Sequence, residues 1–408
     1  MKKGEVTLHL TVKKALKSPL HDIIEVASAV AGTPLAHHVA DWQCSDLDQG
    51  SVVASEQRKI ENIFDKDRTD EALLTSQMAH RQPDISSLIE PYREELYLHC
   101  YRLLGSVHDA EDMVQETLFR AWRRFDTFKG EASLRTWLYT IATNACLTAL
   151  KKRSSRTMPT AVYPEASVLN PNEGRTAEAL WLEPFPDSWM GEVIENPEAR
   201  YTRSESVSFA FLTALQVLPP RQRAILLLSD VLDWRASEVA HLLEISVSAV
   251  NSALHRARVT LEKHYHADKQ VMMPVNRADE EIKALLSRYV LAWETDDVAG
   301  LVALLKEDAI LSMPPIPAWY RGPEAIYDFL LIKFAEQKNQ WRFFPTSANG
   351  QPAFVVYRLD KPGNFYKASG IQVVTLDDSS LPRKIADITA FLSPSLVATF
   401  GFPLQLPE

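Results

Sequence analysis

Three carboxylates, Asp109, Asp112 and Glu116, recur three and four residues apart in SVHDAEDMVQETLFRAWRRF. That spacing stacks them on one face of a helix, where like charges cost roughly a few tenths of a kcal/mol per pair. Such a face is either a solvated edge or a docking surface for a basic partner. A second constellation lies in FKGEASLRTWLYTIATNACLTALKKR. Arg135, Thr136, Tyr139, Thr143 and Asn144 share one side of a helix there, and Leu134, Leu138, Ile141 and Ala145 share the other. Aromatic rings interleaved with Arg, Lys and Asn suit single-stranded DNA, because rings stack on bases, amides read base edges and cations neutralise phosphates. Stacking is worth about 1–3 kcal/mol per base, enough to hold a flipped base out of a duplex. Trp137 taken alone suits a core at least as well.

The elements that must position these groups are legible. Ser106 can cap the acidic helix with Asp109 in its first turn, and Val114, Leu118, Ala121 and Phe125 form its apolar stripe. Gly130 breaks the chain after Phe128 and Lys129, and Ser133 can cap the next helix. Farther on, LPPRQRAILLLSDVLDWRASEVAHLLEISVSAVNSALHRARVTLEKHY has the form of a helix-turn-helix. Its first helix runs from Ala236 to Leu243, and Ser246 caps the second. Val250, Leu254, Ala257 and Leu261 point inward, while Ser248, Asn251, Ser252, His255 and Arg258 project outward. Small polar residues early in that helix can approach base edges, and His255, Arg256 and Arg258 can reach phosphates. Glu244 stands where such turns often carry glycine. A left-handed residue there costs roughly 1 kcal/mol without glycine, so a differently shaped turn is expected.

A chain of 408 residues calls for two or three domains, and 46% hydrophobic with 24% charged residues fits a soluble globular protein. No run of about 18 apolar residues is present, so no membrane span is expected. The N-terminus lacks a signal-peptide pattern, which places the protein in the cytoplasm. Cys44, Cys100 and Cys146 are too few and too scattered for a disulfide framework or a zinc site and read as free buried thiols. The net charge of −9 argues against a general nucleic-acid binder, yet charge is local. Residues 119–153 carry eight Lys/Arg against two Asp/Glu, and residues 154–209 carry four against nine. Contact with phosphates at one place, and weak binding to free DNA, follow from that division.

The segment GSVHDAEDMVQETLFRAWRRFDTFKGEASLRTWLYTIATNACLTAL resembles region 2 of sigma-70 factors of the extracytoplasmic-function (ECF) group. The helix-turn-helix resembles their region 4. The resemblance implies core RNA polymerase (the β′ clamp helices and the β flap) and promoter DNA as partners. Polymerase binding then falls to Asp109, Asp112, Gln115 and Glu116. Readout of the −10 element falls to Lys129, Ser133, Arg135, Trp137, Tyr139 and Asn144, and of the −35 element to Ser248, Asn251, Ser252, His255, Arg256 and Arg258. Residues 206–265 carry only six basic groups against five acidic ones. Weak autonomous DNA binding is therefore expected, with polymerase supplying the rest.

The remaining stretches complete a multidomain chain of two all-α modules and a C-terminal α+β domain. Residues 1–80 form no assignable pattern. Residues 81–155 form the first module, 156–204 a linker rich in Pro, Glu and Ser, and 205–266 the second. Residues 276–400, with strand-like FVVYRL and IQVVTL, resemble the SnoaL-like branch of the NTF2-like superfamily, a cone of helices and curved sheet. In sigma factors of this architecture that domain implies modulation in cis, and a small-molecule ligand is a further possibility. An enzyme of the ketosteroid-isomerase type needs a carboxylate base and an acid or oxyanion donor. The last histidine is His266, so this domain offers only Asp308, Asp387, Tyr320 and Tyr366, all of which suit structural roles better. No catalytic function, cofactor or metal is expected. Met313, Trp319 and Tyr320 read as pocket lining or as contacts to the sigma modules. Trp181 and Pro184, in WLEPFPD, read equally as a docking motif or a rigid linker. The rival readings are a ligand-responsive DNA-binding regulator and an isomerase-like enzyme fused to a DNA-binding module. Residues 1–77 lie outside the resemblance, and Met78 begins a stretch typical of such factors. An over-extended reading frame and a regulatory arm are the two expectations for them.

Overall fold

The computed structural model describes residues 83–130, 132–152, 155–166, 180–190, 206–264, 280–336, 340–377 and 382–407. The expectations for residues 1–77, including Cys44, lie outside these residues.

The first helical module comprises α1 (Pro83–Ile89), α2 (Arg93–Leu104), α3 (Val107–Arg124) and α4 (Leu134–Leu150). Its boundaries follow from capping. Ser106 and Ser133 accept the amides of Asp109 and Thr136, satisfying donors that a helix start leaves free. Gly105 ends α2 with φ 70°, and a Cβ there would lie 2.4 Å from Leu182 of the linker. Only glycine meets both the turn and that close approach.

Part of the linker is ordered. Strand β1 (Arg156–Thr157) pairs in parallel with β2 (Leu180–Trp181), and residues 182–190 run on across the first module. The second helical module contains α5 (Phe209–Val217), α6 (Pro220–Leu226) running into a π turn over Leu227–Val231, α7 (Ala236–Leu243) and α8 (Val247–His264). The expected bounds of the first helix of the helix-turn-helix are met, and Ser246 accepts the Ala249 amide at 3.1 Å.

The C-terminal domain begins with α9 (Glu280–Glu294) and α10 (Val298–Val302). Then come β3 (Leu305–Ser312), β4 (Trp319–Arg321), α11 (Gly322–Glu336), β5 (Trp341–Ala348), β6 (Gln351–Asp360), β7 (Phe365–Asp377) and β8 (Lys384–Phe391). It closes with α12 (Pro394–Thr399) and β9 (Gln405–Pro407). The sheet order is β4-β3-β8-β7-β6-β5, with β9 on β7 and only β3–β8 parallel. FVVYRL and IQVVTL are apolar almost throughout because both faces are covered. Phe354, Val356, Val374 and Leu376 face the domain's own helices. Val355, Tyr357, Ile371 and Val373 join a second core that runs unbroken through both helical modules.

Candidate functional site

On α3, Asp112 and Gln115 are exposed, and half-buried Glu116 forms an i,i+4 pair with Arg120 at 2.7 Å. They edge a shallow groove of about 530 Å³ with Phe119 and Lys152, and Phe119 is 52% exposed. Acidic groups around an exposed ring suit a basic, partly apolar partner surface. Asp109 corrects the expectation for its position. Its side chain is 14% exposed and bonds the Arg156 guanidinium at 2.6 Å. The linker strand crosses the start of α3 here, so the first-turn carboxylate ties the linker down instead of facing outward. Glu183 of WLEPFP joins the same cluster, accepting from Ser106 at 2.7 Å and lying 2.9 Å from His108 Nδ1. Burial raises the Glu183 carboxyl's pKa, but the bonds from His108 and Ser106 and the Arg156 charge hold it below its ordinary value. The hydrogen bond to Glu183 in turn lifts His108 above the usual imidazole range.

The aromatic helix is less open than its pattern implies. Lys129, Ser133 and Asn144 are exposed, and Trp137 is half-buried with its ring 5.3 Å from Phe128 and 6.3 Å from Phe125. Tyr139 is a correction. It is 1% exposed, packed 4.9 Å from His99 and 5.5 Å from Trp234 of the second module, with its hydroxyl on Glu95. Arg135 is half-buried and bonds the Glu95 carboxylate at 2.8 Å with its guanidinium 4.9 Å above the Tyr139 ring. Thr143 is buried too and pairs with His99 at 2.9 Å; burial, with Arg102 and Arg135, pushes that imidazole down to about 3. α4 therefore has packed neighbours on the side expected to be free. Across a cleft of about 670 Å³, Lys129, Thr136 and Trp137 face His241, Glu244 and Ser246 of the helix-turn-helix.

On α8, Ser248, Asn251, Ser252, His255 and Arg256 are exposed. Arg258 is exposed as well, but its fork is held by Asp230 at 2.9 and 2.6 Å. Glu244 corrects the expected turn shape. It adopts φ 53° and ψ 49° as the left-handed end of α7, so the turn keeps the usual form at the cost of about 1 kcal/mol.

The linker motif is a docking element. Trp181, Leu182, Pro184 and Phe185 are buried, and Arg156 donates to the Trp181 carbonyl at 2.7 Å. Phe185 packs 4.7 Å from Tyr101 of α2 and meets Asn349 of the C-terminal domain. Asn349 occupies the two-residue Asn-Gly turn between β5 and β6 with φ 55°, and is 1% exposed. Its Oδ1 accepts from the Phe185 amide at 2.7 Å. Its Nδ2 donates to the Tyr101 hydroxyl at 2.8 Å and to the Val207 carbonyl at 2.6 Å. One side chain thus ties the linker, the first module and the entry to the second module to the C-terminal domain. Trp319 is an interdomain contact as well, its indole donating to the Tyr163 carbonyl at 2.8 Å.

Met313 lines a small cavity inside the cone, whereas Tyr320 stacks on Phe329 at 4.6 Å and is not part of that lining. The acid–base candidates do not converge. Asp308 is exposed beside Lys306, and Tyr366 lies under Arg342. Asp387 alternates away from Ile388 and Ala390, which face the cone interior, and burial pushes its carboxyl up to about 6. None of the four lines the cavity. The pattern of residues gave no warning of Asn349, Glu183 or Glu95. An Asn-Gly pair signals a hairpin turn, but nothing local signals that its amide reaches another domain.

Family models match as Sigma-70 region 2 over residues 88–156, Sigma-70 region 4 over 208–261 and a SnoaL-like domain over 286–386. The chain is 40% identical over 328 residues to the ECF RNA polymerase sigma factor SigG of Mycobacterium tuberculosis, covering 80% of this chain and 86% of that protein. It is 29% identical over 182 residues to SigW of Bacillus subtilis, covering 45% and 89%. The crystal structure of Mycobacterium tuberculosis SigJ matches at 21% identity and a TM-score of 0.47, covering 78% of this chain and 99% of SigJ. The chain belongs to the ECF RNA polymerase sigma factors, which direct transcription initiation, and carries a SnoaL-like domain at its C-terminal end. No helix among the described residues is long and apolar enough to cross a membrane.

Proposed function

We propose that this sigma factor is held closed by its own linker and SnoaL-like domain, and that it reads promoters only after polymerase opens it. The carrying observation is the Asn349 node, which bonds three other segments at once. The packing of Trp234 on Tyr139 supports the same reading. The −10 and −35 elements lie about 25 base pairs apart, roughly 85 Å of duplex at 3.4 Å per pair. Modules packed on each other through Tyr139 and Trp234 do not span that distance.

In the open form, Asp112, Gln115 and Glu116 dock on polymerase, with Asp109 holding the linker in the closed one. Lys129, Ser133, Arg135, Trp137 and Asn144 meet the −10 element. Ser248, Asn251, Ser252, His255, Arg256 and Arg258 meet the −35 element. The modules span residues 81–155, 205–266 and 276–400. The protein works in the cytoplasm without catalysis of its own. Run-off transcription with core polymerase and candidate promoters, by the full chain and by a chain ending before residue 276, tests this. The expected result is promoter-dependent transcript, raised by the truncation; no transcript from either form would overturn the reading.

A further inference from the structure

Asn349 is the one asparagine of the chain that is followed by glycine. That pair can undergo a reaction of its own. Once it has lost its proton, the Gly350 amide nitrogen attacks Asn349 Cγ, and the new N–Cγ bond closes a five-membered ring. The Cγ–Nδ2 bond breaks, its nitrogen leaves as ammonia, and a succinimide remains. Water then opens the ring at either carbonyl, giving aspartate or isoaspartate, with no oxidant or cofactor consumed. Glycine permits the attack because it has no side chain to crowd the ring and its backbone turns freely.

In the closed form each requirement of that reaction is withheld. The carboxamide is pinned at both ends, its Oδ1 by the Phe185 amide at 2.7 Å and its Nδ2 by Tyr101 and Val207 at 2.8 and 2.6 Å. The nucleophile is engaged too, since the Gly350 N–H donates to Asp187 Oδ1 at 2.9 Å. At 1% exposure Asn349 meets neither the hydroxide that takes the amide proton nor the water that opens the ring. These four partners all lie outside the C-terminal domain: Tyr101 on α2, Phe185 and Asp187 in the linker, Val207 at the entry to the second module. Parting the domain from them frees the carboxamide and the nucleophile and admits water in one step. The product then no longer fits. A carboxylate has no hydrogen to give, so an oxygen faces the Val207 carbonyl where a donor stood, and the bonding partners offer its charge no cation. Isoaspartate also lengthens the backbone of the turn by one carbon.

We infer that Asn349–Gly350 is a deamidation site masked by the interdomain contact, and that its conversion prevents the opened chain from closing again. The inference rests on the closed form proposed above. The full chain is kept at mildly alkaline pH, alone and with saturating core polymerase. Conversion is read from peptide masses and isoaspartate content, and opening from the distance between labels on the first helical module and the C-terminal domain. Exposed Asn364, followed by Phe365, is the internal control. Residue 349 is expected to convert at least tenfold faster with polymerase, because the free chain reacts only through its minor open fraction, while Asn364 keeps one rate. The converted chain, freed of polymerase, is expected to retain the open distance, and Asn349→Asp to show it without ageing. Equal rates at residue 349 with and without polymerase, in a chain whose labels do part, overturn the masking and leave the closed form standing. Labels that never part overturn the closed form and the inference with it. A converted chain that closes like the parent overturns the one-way step.

Discussion

Asn349→Ala is the sharpest perturbation of the closed form. The substitution removes one hydrogen bond accepted from the Phe185 amide and two donated to Tyr101 and Val207, all within a site 1% exposed. At a net value of about 0.5–1.5 kcal/mol each, and with the Phe185 amide and Val207 carbonyl left unpartnered, the loss comes to roughly 3–5 kcal/mol. Alanine at φ 55° adds about 1 kcal/mol of backbone strain. Asn349→Gly separates the two effects, because glycine keeps the turn and loses only the bonds. A loss of about 3 kcal/mol shifts the closed-to-open ratio by roughly two orders of magnitude. Small-angle scattering should show the glycine variant expanded, and run-off transcription at limiting polymerase should show it more active than the parent. A glycine variant as compact and no more active than the parent, yet equally well folded by circular dichroism, would refute the reasoning.

Three further outcomes follow from the same geometry. Asp112→Arg combined with Glu116→Arg should weaken core-polymerase binding at least tenfold in a pull-down titration while leaving the melting temperature within a few degrees; unchanged affinity removes the docking assignment. His108 has a raised folded pKa, so its bond to Glu183 is fully present below the unfolded value of about 6.5 and is lost as pH rises through the higher folded value. Glu183 is lowered, so its share is present above its unfolded value and lost as pH falls through the folded one. Linker protection in hydrogen exchange should therefore peak at mildly acidic pH and weaken above neutrality, and His108→Gln should flatten the alkaline side; a profile identical to the parent's discounts the cluster. Asp387 has a carboxyl raised to about 6, so its charged form destabilises the fold progressively between its ordinary value and that one. Asp387→Asn should raise stability at pH 7.5 by about 1–3 kcal/mol in urea unfolding, since Asn still accepts from Thr389; lower stability would contradict the burial argument.

Whatever depends on neighbours within a few residues was readable in advance. α7, the Ser246 cap and the exposed face of α8 follow from local periodicity and capping, and so do the Ser106 and Ser133 starts. The acidic face of α3 was legible except for Asp109, whose partner Arg156 lies 47 residues away. Periodicity alone turns Tyr139 and Thr143 outward, because it gives α4 one buried side and one free side. α2 packs against it and Trp234 covers it, so a polar–aromatic stripe became an interface. The fate of WLEPFP turned on contacts 164 residues away at Asn349, and Asn349 itself reaches Tyr101 across 248 residues. Spacing along the chain holds no trace of such bonds.

The interface also contains its own weak point. Arg223 is fully buried, donating to the Leu103 carbonyl at the end of α2, to the Gln216 side chain and backbone, and to the Leu218 carbonyl. No carboxylate among the described residues opposes it, its Nε has no partner, and burial pulls its pKa down to about 10. The carbonyl end of α2 offsets part of the desolvation, but the rest is a standing penalty on closure. Only the bond to Leu103 crosses to the first module; the other three stay within the second, so separation bares the guanidinium on its α2 side. Asn349, by contrast, has all of its bonds made and resists separation. Clamped at a satisfied node and loosened at an unsatisfied one, the closed form has a net stability well below what its apolar contacts alone would give. A partner that binds only the open form needs to supply just that difference, and on the proposed docking through Asp112 and Glu116 core polymerase is that partner.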